Sequence, residues 1–206
     1  YIQSQLQVIK VILGENDYIK DNTLQVKAII SSEINECNEI LLTELITSNL
    51  LDNLDFKELG AVLSLFGDSK IINKNNFDNS IDNSGTKLSE QYKFKTIIEH
   101  VTKTAIKWNN LETMHFLDMN YNWEINKEAM NATYEWLDGS DFNTISRKYN
   151  IYEGNLIKDF LKIFNLAASL RTISEHINNP QLSITSSQIM DIITRDEVSI
   201  ESLYIN

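Results

Sequence analysis

The sequence predicts an all-α protein, a multi-helix bundle with one long helix near the C-terminus over about 155–177. Three observations carry this. One proline and six glycines in 206 residues leave few helix breakers. Apolar residues recur at the helical period through most of the chain. No strand candidate is longer than a few residues. Hydrophobic residues at 42% and charged residues at 23% are globular proportions, which excludes a disordered tail, a collagen or a disulfide scaffold.

The elements follow in order. Leu6, Ile9, Ile12 and Leu13 start a helical stripe that ends at Gly14. Residues 1–16 read as the tail of a preceding helix, and 17–206 as one helical domain. Leu24, Val26, Ile29, Ile30 and Ile34 mark a second helix, and Ile40, Leu41, Leu45 and Ile46 a third. Asp55 followed by Glu58 is a capping box, in which each side chain takes the other's free amide. Leu59, Val62, Leu63 and Phe66 lie behind it, with Gly67 as the stop.

The segment 68–87 is crowded with Asn and Asp and poor in apolar residues, so a flexible Asn-rich loop is expected. Phe94, Ile98, Val101, Ala105 and Trp108 build the next helix, with a kink or end expected at Asn109 and Asn110. Further helices are expected over 126–137, stopping at Gly139, and over 142–149. The long helix is expected to end before Asn178, Asn179 and Pro180. Thr185 and Gln188 form a second capping-box pattern, predicting a helix start there, and a short last helix is expected over 198–204.

Charge and motifs exclude several function classes. The net charge of −11 repels phosphate at long range and disfavours autonomous high-affinity nucleic-acid binding. The single cysteine, Cys37, cannot close an internal disulfide and has no basic sequence neighbour to activate it. No run of about 18 apolar residues is present, so no membrane span is expected. The chain begins at Tyr1 without a leader pattern, so an intracellular piece of a longer protein is expected, nuclear or cytoplasmic. Asn and Ile together make about a quarter of the residues, which suits an AT-rich genome such as some protists and large viruses have. No phosphate-cradling G-x-x-x-x-G-K-[ST] loop and no G-x-G-x-x-G occurs. His100, His115 and His176 have no ligand partners at metal spacing. The expectation is no catalytic residue, no metal and no cofactor in this chain.

The informative stretch is 126–178, where a short helix and a tight turn precede the long helix, as in helix-turn-helix packing. At 100° per residue, Lys158, Lys162, Asn165, Ser169, Thr172 and His176 fall within about 80° of one another on the long helix. That stripe contains no acid. Two lysines one turn apart, followed by small hydrogen-bonding residues, can track a phosphodiester backbone. A solvated helix face is the alternative.

These residues bear a resemblance. Tyr134, Trp136, Gly139 and Phe142, then Tyr152, Glu153 and Gly154 at the head of the long helix, resemble the DSHCT domain. That is the C-terminal helical domain of superkiller-type, exosome-assisting DExH RNA helicases. The ending, with Arg195, Asp196, Val198, Ser202, Leu203 and Tyr204, is similar to the closing R-D-x-V-x-x-x-S-L-Y of that family. The resemblance runs from about residue 17 to the end. It implies an accessory domain of a 3′ to 5′ ATP-dependent RNA helicase in RNA processing or decay. It would pack on RecA-like domains of the same polypeptide and help to line the RNA channel. RNA would be bound through the parent protein, and exosome-type or adaptor proteins are further implied partners. ATP and Mg would belong to the parent.

The family carries two arginines in the first turns of the long helix, where this chain has Lys158 and Lys162. Arginine grips phosphate as a fork and lysine as a point charge, so the contact would be weakened here. Asn165 and Ser169 complete the candidate RNA-facing set. Tyr134, Trp136, Phe142 and Tyr152 are expected in the core. Gly154 is expected to permit the turn, Glu153 to favour the helix N-terminus, and Arg195 and Asp196 to pair with helix ends. Two other readings stay open: a free-standing acidic helical module that binds proteins, and a DNA-binding regulator.

Overall fold

The computed structural model describes residues 2–68, 87–117 and 121–198. Most of the Asn-rich segment 68–87 lies outside these, as do Ser202, Leu203 and Tyr204. Among the described residues there are nine α-helices and one two-stranded hairpin. The order is α1 (Ile2–Glu15), β1 (Ile19–Lys20), β2 (Thr23–Leu24), α2 (Val26–Ser32), α3 (Glu39–Thr47) and α4 (Phe56–Leu63). Then come α5 (Tyr92–Met114), α6 (Met130–Leu137), α7 (Phe142–Tyr149), α8 (Glu153–His176) and α9 (Pro180–Ile193). No helix among the described residues is long and apolar enough to cross a membrane.

The hairpin, two residues per strand, agrees with the expectation of an all-α fold with no strand longer than a few residues. Asp21 and Asn22 both hold positive φ, at 49° and 58°, which is the backbone of a tight primed turn. It pairs Ile19 with Leu24 and Lys20 with Thr23. Two-residue strands are too short to show alternation.

Helix ends follow local chemistry. Asp55 Oδ1 accepts the Glu58 amide at 2.8 Å, and Glu58 Oε2 accepts the Asp55 amide at 3.0 Å, closing the capping box of α4. Gly139, at φ 103°, ends α6. Its amide donates to Trp136 O at 3.1 Å while the Ser140 amide reaches back to Glu135 O at 2.9 Å.

Four other boundaries differ from expectation. The α5 helix runs through Asn109 and Asn110 without a break. The next helix starts at Met130 rather than 126, because the Asn126 amide donates to Leu65 O at 2.7 Å instead of entering a helix. Thr185 and Ser186 are buried inside α9 rather than at its start. There Asn179 caps by accepting the Leu182 amide at 3.0 Å, and Pro180 takes the first helical position, where its missing N–H costs nothing. Gly67 is not a left-handed stop; it is extended, and space is what it provides. A Cβ there would lie 2.8 Å from the Asp159 carboxylate.

The main core gathers α3, α4, α6, α8 and α9 around Leu42, Leu63, Trp136, Phe160 and Ile189. A smaller cluster of Ile12, Tyr18, Ile40 and Trp108 joins α1 and the hairpin to α3 and α5. Gly60 lets α4 approach α6 closely, since a Cβ would run into Leu137 Cδ1. The core therefore fixes α8 along one side and leaves its other side to the surface.

Candidate nucleic-acid interface

The head of α8 is set by the turn before it. Asp141 caps α7, accepting the Thr144 amide at 2.8 Å. These hydrogen bonds, first from the Thr144 amide and then from its hydroxyl, hold the Asp141 carboxyl below the usual carboxylate range. Asn150 ends α7 in the left-handed conformation, at φ 50° and ψ 48°. It makes the reversal assigned above to Gly154. Gly154 itself lies inside the first turn of α8 without positive φ, and nothing stands within 4 Å of where its Cβ would be. Tyr152 is 62% exposed, not core, because it is the N-cap residue and precedes the buried face. Glu153 stands in the first turn, where the helix dipole favours an acid.

Beneath α8 lies an aromatic and cationic stack. Trp136 is fully buried, parallel to Phe160 at 5.3 Å between ring centroids, with Phe142 edge-on at 5.7 Å. Its indole N–H donates to Ile193 O at 2.9 Å. The Arg195 guanidinium sits 3.8 Å from the indole centroid and donates to Trp136 O at 2.6 Å and Ser140 O at 2.7 Å. It thereby ties the end of α6 and the turn after it to the chain beyond α9. Asp196 is exposed, 3.8 Å from Arg195. Tyr134 is half-buried, with Lys57 over its ring at 5.4 Å.

The polar stripe of α8 runs along its outer side. Lys158 is exposed and makes no ion pair with the described residues. Lys162 keeps only 18% of its side chain exposed, and its Nζ lies 3.1 Å from Asp68 Oδ2. Asn165 is exposed and donates to Glu36 Oε1 at 3.0 Å. Ser169 is half-buried and Thr172 exposed, and His176 Nε2 is 3.8 Å from Glu33 Oε1. The stripe has no acid of its own, yet three acids face it from other elements. Sequence reasoning missed these, because Asp68 and Glu36 are 94 and 129 residues away from their partners.

Asp159, one residue after Lys158, is also unforeseen. It is 2% exposed on α8 and accepts the Asp68 amide at 2.9 Å, pinning the chain where it leaves the 3₁₀ turn Ser64–Phe66. A polar recess of about 300 Å³ lies beside Lys162, lined by Glu36, Cys37, Asn38, Asp68 and Asn122. Burial pushes the Cys37 thiol up to about 12, with the Lys162 charge pulling the other way, so the thiol stays protonated at neutral pH. Among the described residues no three His, Cys, Asp or Glu side chains gather as a metal site would need.

The fold and this surface define a helical module with a polar face on its long helix. The chain matches the DSHCT (NUC185) domain over residues 21–200 and belongs to that family. Its relatives are DExH-type helicases. It is 26% identical to the antiviral helicase SKI2 of Saccharomyces cerevisiae over 198 residues, 94% of this chain and 15% of that protein. It is 24% identical to the DExH-box ATP-dependent RNA helicase DExH9 of Arabidopsis thaliana over 205 residues, 98% of this chain and 20% of the other. With the exosome RNA helicase MTR4 of Homo sapiens it shares 23% over 185 residues, 89% of this chain and 17% of that protein. The chain thus spans between 15% and 20% of these relatives' lengths.

Proposed function

We propose that this chain is the C-terminal accessory domain of an intracellular ATP-dependent RNA helicase. In this reading it packs on RecA-like domains of the same polypeptide and presents α8 to a strand threaded 3′ to 5′. The observation that carries it is the acid-free stripe of Lys158, Lys162, Asn165 and Ser169 on the long helix of a DSHCT-family chain. The chain does no chemistry of its own. ATP and Mg are handled by the RecA-like domains, and the helicase works in RNA processing or decay with exosome-type or adaptor partners.

The stripe's work would be electrostatic and positional. Lys158, which makes no ion pair with the described residues, offers its ammonium to a phosphate, and the amide of Asn165 and the hydroxyl of Ser169 suit phosphate or sugar oxygens. The overall charge of −11 keeps the isolated chain a poor binder, so affinity comes from the rest of the parent.

Lys158→Glu with Lys162→Glu in the full-length helicase tests this. Lys158 is exposed, whereas Lys162 is mostly buried beside Asp68, so Lys158→Glu alone is measured in parallel and circular dichroism checks that the double variant is folded. RNA affinity and RNA-stimulated ATP turnover should fall, and the salt slope should drop by about 0.7 for each lost phosphate contact on a single strand. Unchanged affinity with an unchanged slope would mean that the domain only braces the parent.

A further inference from the structure

The acids facing α8 are not products of helical spacing. Asp68 follows the 3₁₀ turn Ser64–Phe66, and Glu36 sits in the connection between α2 and α3. Each nevertheless brings a carboxylate oxygen to a donor of the stripe, at 3.1 Å from Lys162 Nζ and 3.0 Å from Asn165 Nδ2. Lys162 and Asn165 are three residues apart and so are neighbours on one helix face. Two acceptor groups therefore line up along the stripe, each with the charge and oxygen geometry that a strand's phosphate would offer the same donors.

The two sides of the Lys162 pair differ. The lysine is 18% exposed and held in place, whereas the Asp68 side chain is 82% exposed. The backbone of Asp68 stays pinned, because its amide donates to the buried Asp159 carboxylate at 2.9 Å. Among the described residues, the Asp68 carboxylate is the ion-pair partner that has to swing aside to free the ammonium. An ion pair with so exposed a partner is worth little, so a phosphate can replace it at small cost.

We infer that Asp68 and Glu36 are internal phosphate mimics, which occupy the Lys162 and Asn165 donors until a strand displaces them and so hold the domain's RNA affinity down. The inference rests on the reading that α8 faces RNA.

The test uses the full-length helicase and a single-stranded oligouridylate, with affinity measured across a salt series. Asp68→Asn with Glu36→Gln removes both charges and keeps oxygen acceptors for the same hydrogen bonds. Glu90→Gln with Glu99→Gln, two exposed acids, one in the 3₁₀ turn before α5 and one on α5, is the charge-matched control. The first pair should bind about two- to fivefold more tightly than the control pair, the range expected when an exposed ion pair is released. Its salt slope should steepen by about 0.7 as Lys162 turns to a phosphate. A third variant, Lys158→Glu, separates the two ideas. If it weakens binding while the acid pair behaves like its control, α8 contacts RNA and the mimicry is refuted. If it leaves affinity and slope unchanged, both the RNA reading and the mimicry fall.

Discussion

Removing the indole of Trp136 should cost this fold more than most single changes. The ring is fully buried, stacks on Phe160, lies 3.8 Å from the Arg195 guanidinium and donates to Ile193 O. An indole of about 200 Å² at about 25 cal/mol per Å² is worth about 5 kcal/mol. Leaving the Ile193 carbonyl without its donor adds about 1 kcal/mol, and partial collapse of the cavity gives some back. Trp136→Ala should therefore destabilise by about 4–6 kcal/mol, against a typical total of about 5–15 kcal/mol. Trp136→Phe keeps a ring on Phe160 but loses the N–H, and should cost about 1–3 kcal/mol. Each kcal/mol lowers Tm by about 2–4 °C at this size. Circular-dichroism melts and urea unfolding check both variants. The alanine variant should drop by about 10 °C or more and the phenylalanine variant by a few degrees, with the urea slope of the latter unchanged. A fall of less than about 3 °C for Trp136→Ala would refute the stack as a stability centre.

Other outcomes follow from the site. Gly67→Ala drives a Cβ to 2.8 Å from the Asp159 carboxylate, so it should destabilise by about 1–3 kcal/mol in urea titration. Gly154→Ala meets open space within helical backbone and should be neutral or stabilise by up to about 1 kcal/mol in the same assay. Asp141 has a lowered folded-state carboxyl, so its capping contributes above the unfolded carboxyl range and is lost as pH falls through the lowered one. The Tm advantage of the native chain over Asp141→Asn should therefore shrink on acidification; a constant difference across pH would contradict it.

Much of the architecture was readable because it is local. Scarce Pro and Gly, 3.6-residue stripes, the Asp55–Glu58 box and Gly139 act within a few residues, and each stands in the fold where the pattern put it. The stop of α8 before Asn178, Asn179 and Pro180 stands as read, but behind the Asn179 cap Pro180 also begins α9, where the Thr185 pattern had put the start too late. Tyr152 misled as an aromatic, since its place at the N-cap, not its ring, decides its exposure. Gly60 and Gly67 are required by partners far along the chain, Leu137 and Asp159. The stripe on α8 was visible as a periodicity of one helix. Its opposing acids were not, because Glu33, Glu36 and Asp68 reach it only once α2, α4 and α8 are packed together. A motif search along one helix carries no signal for charges contributed by others.

The central claim is that the outer side of α8 touches RNA in the parent helicase. Photo-crosslinking reads this most directly, using the full-length protein loaded on a 4-thiouridine single strand with a non-hydrolysable ATP analogue. Peptide mapping should find adducts on the α8 stripe around Lys158 and Asn165, and they should disappear in the Lys158→Glu, Lys162→Glu variant. Efficient crosslinks elsewhere in the protein, with none on α8, would contradict the claim.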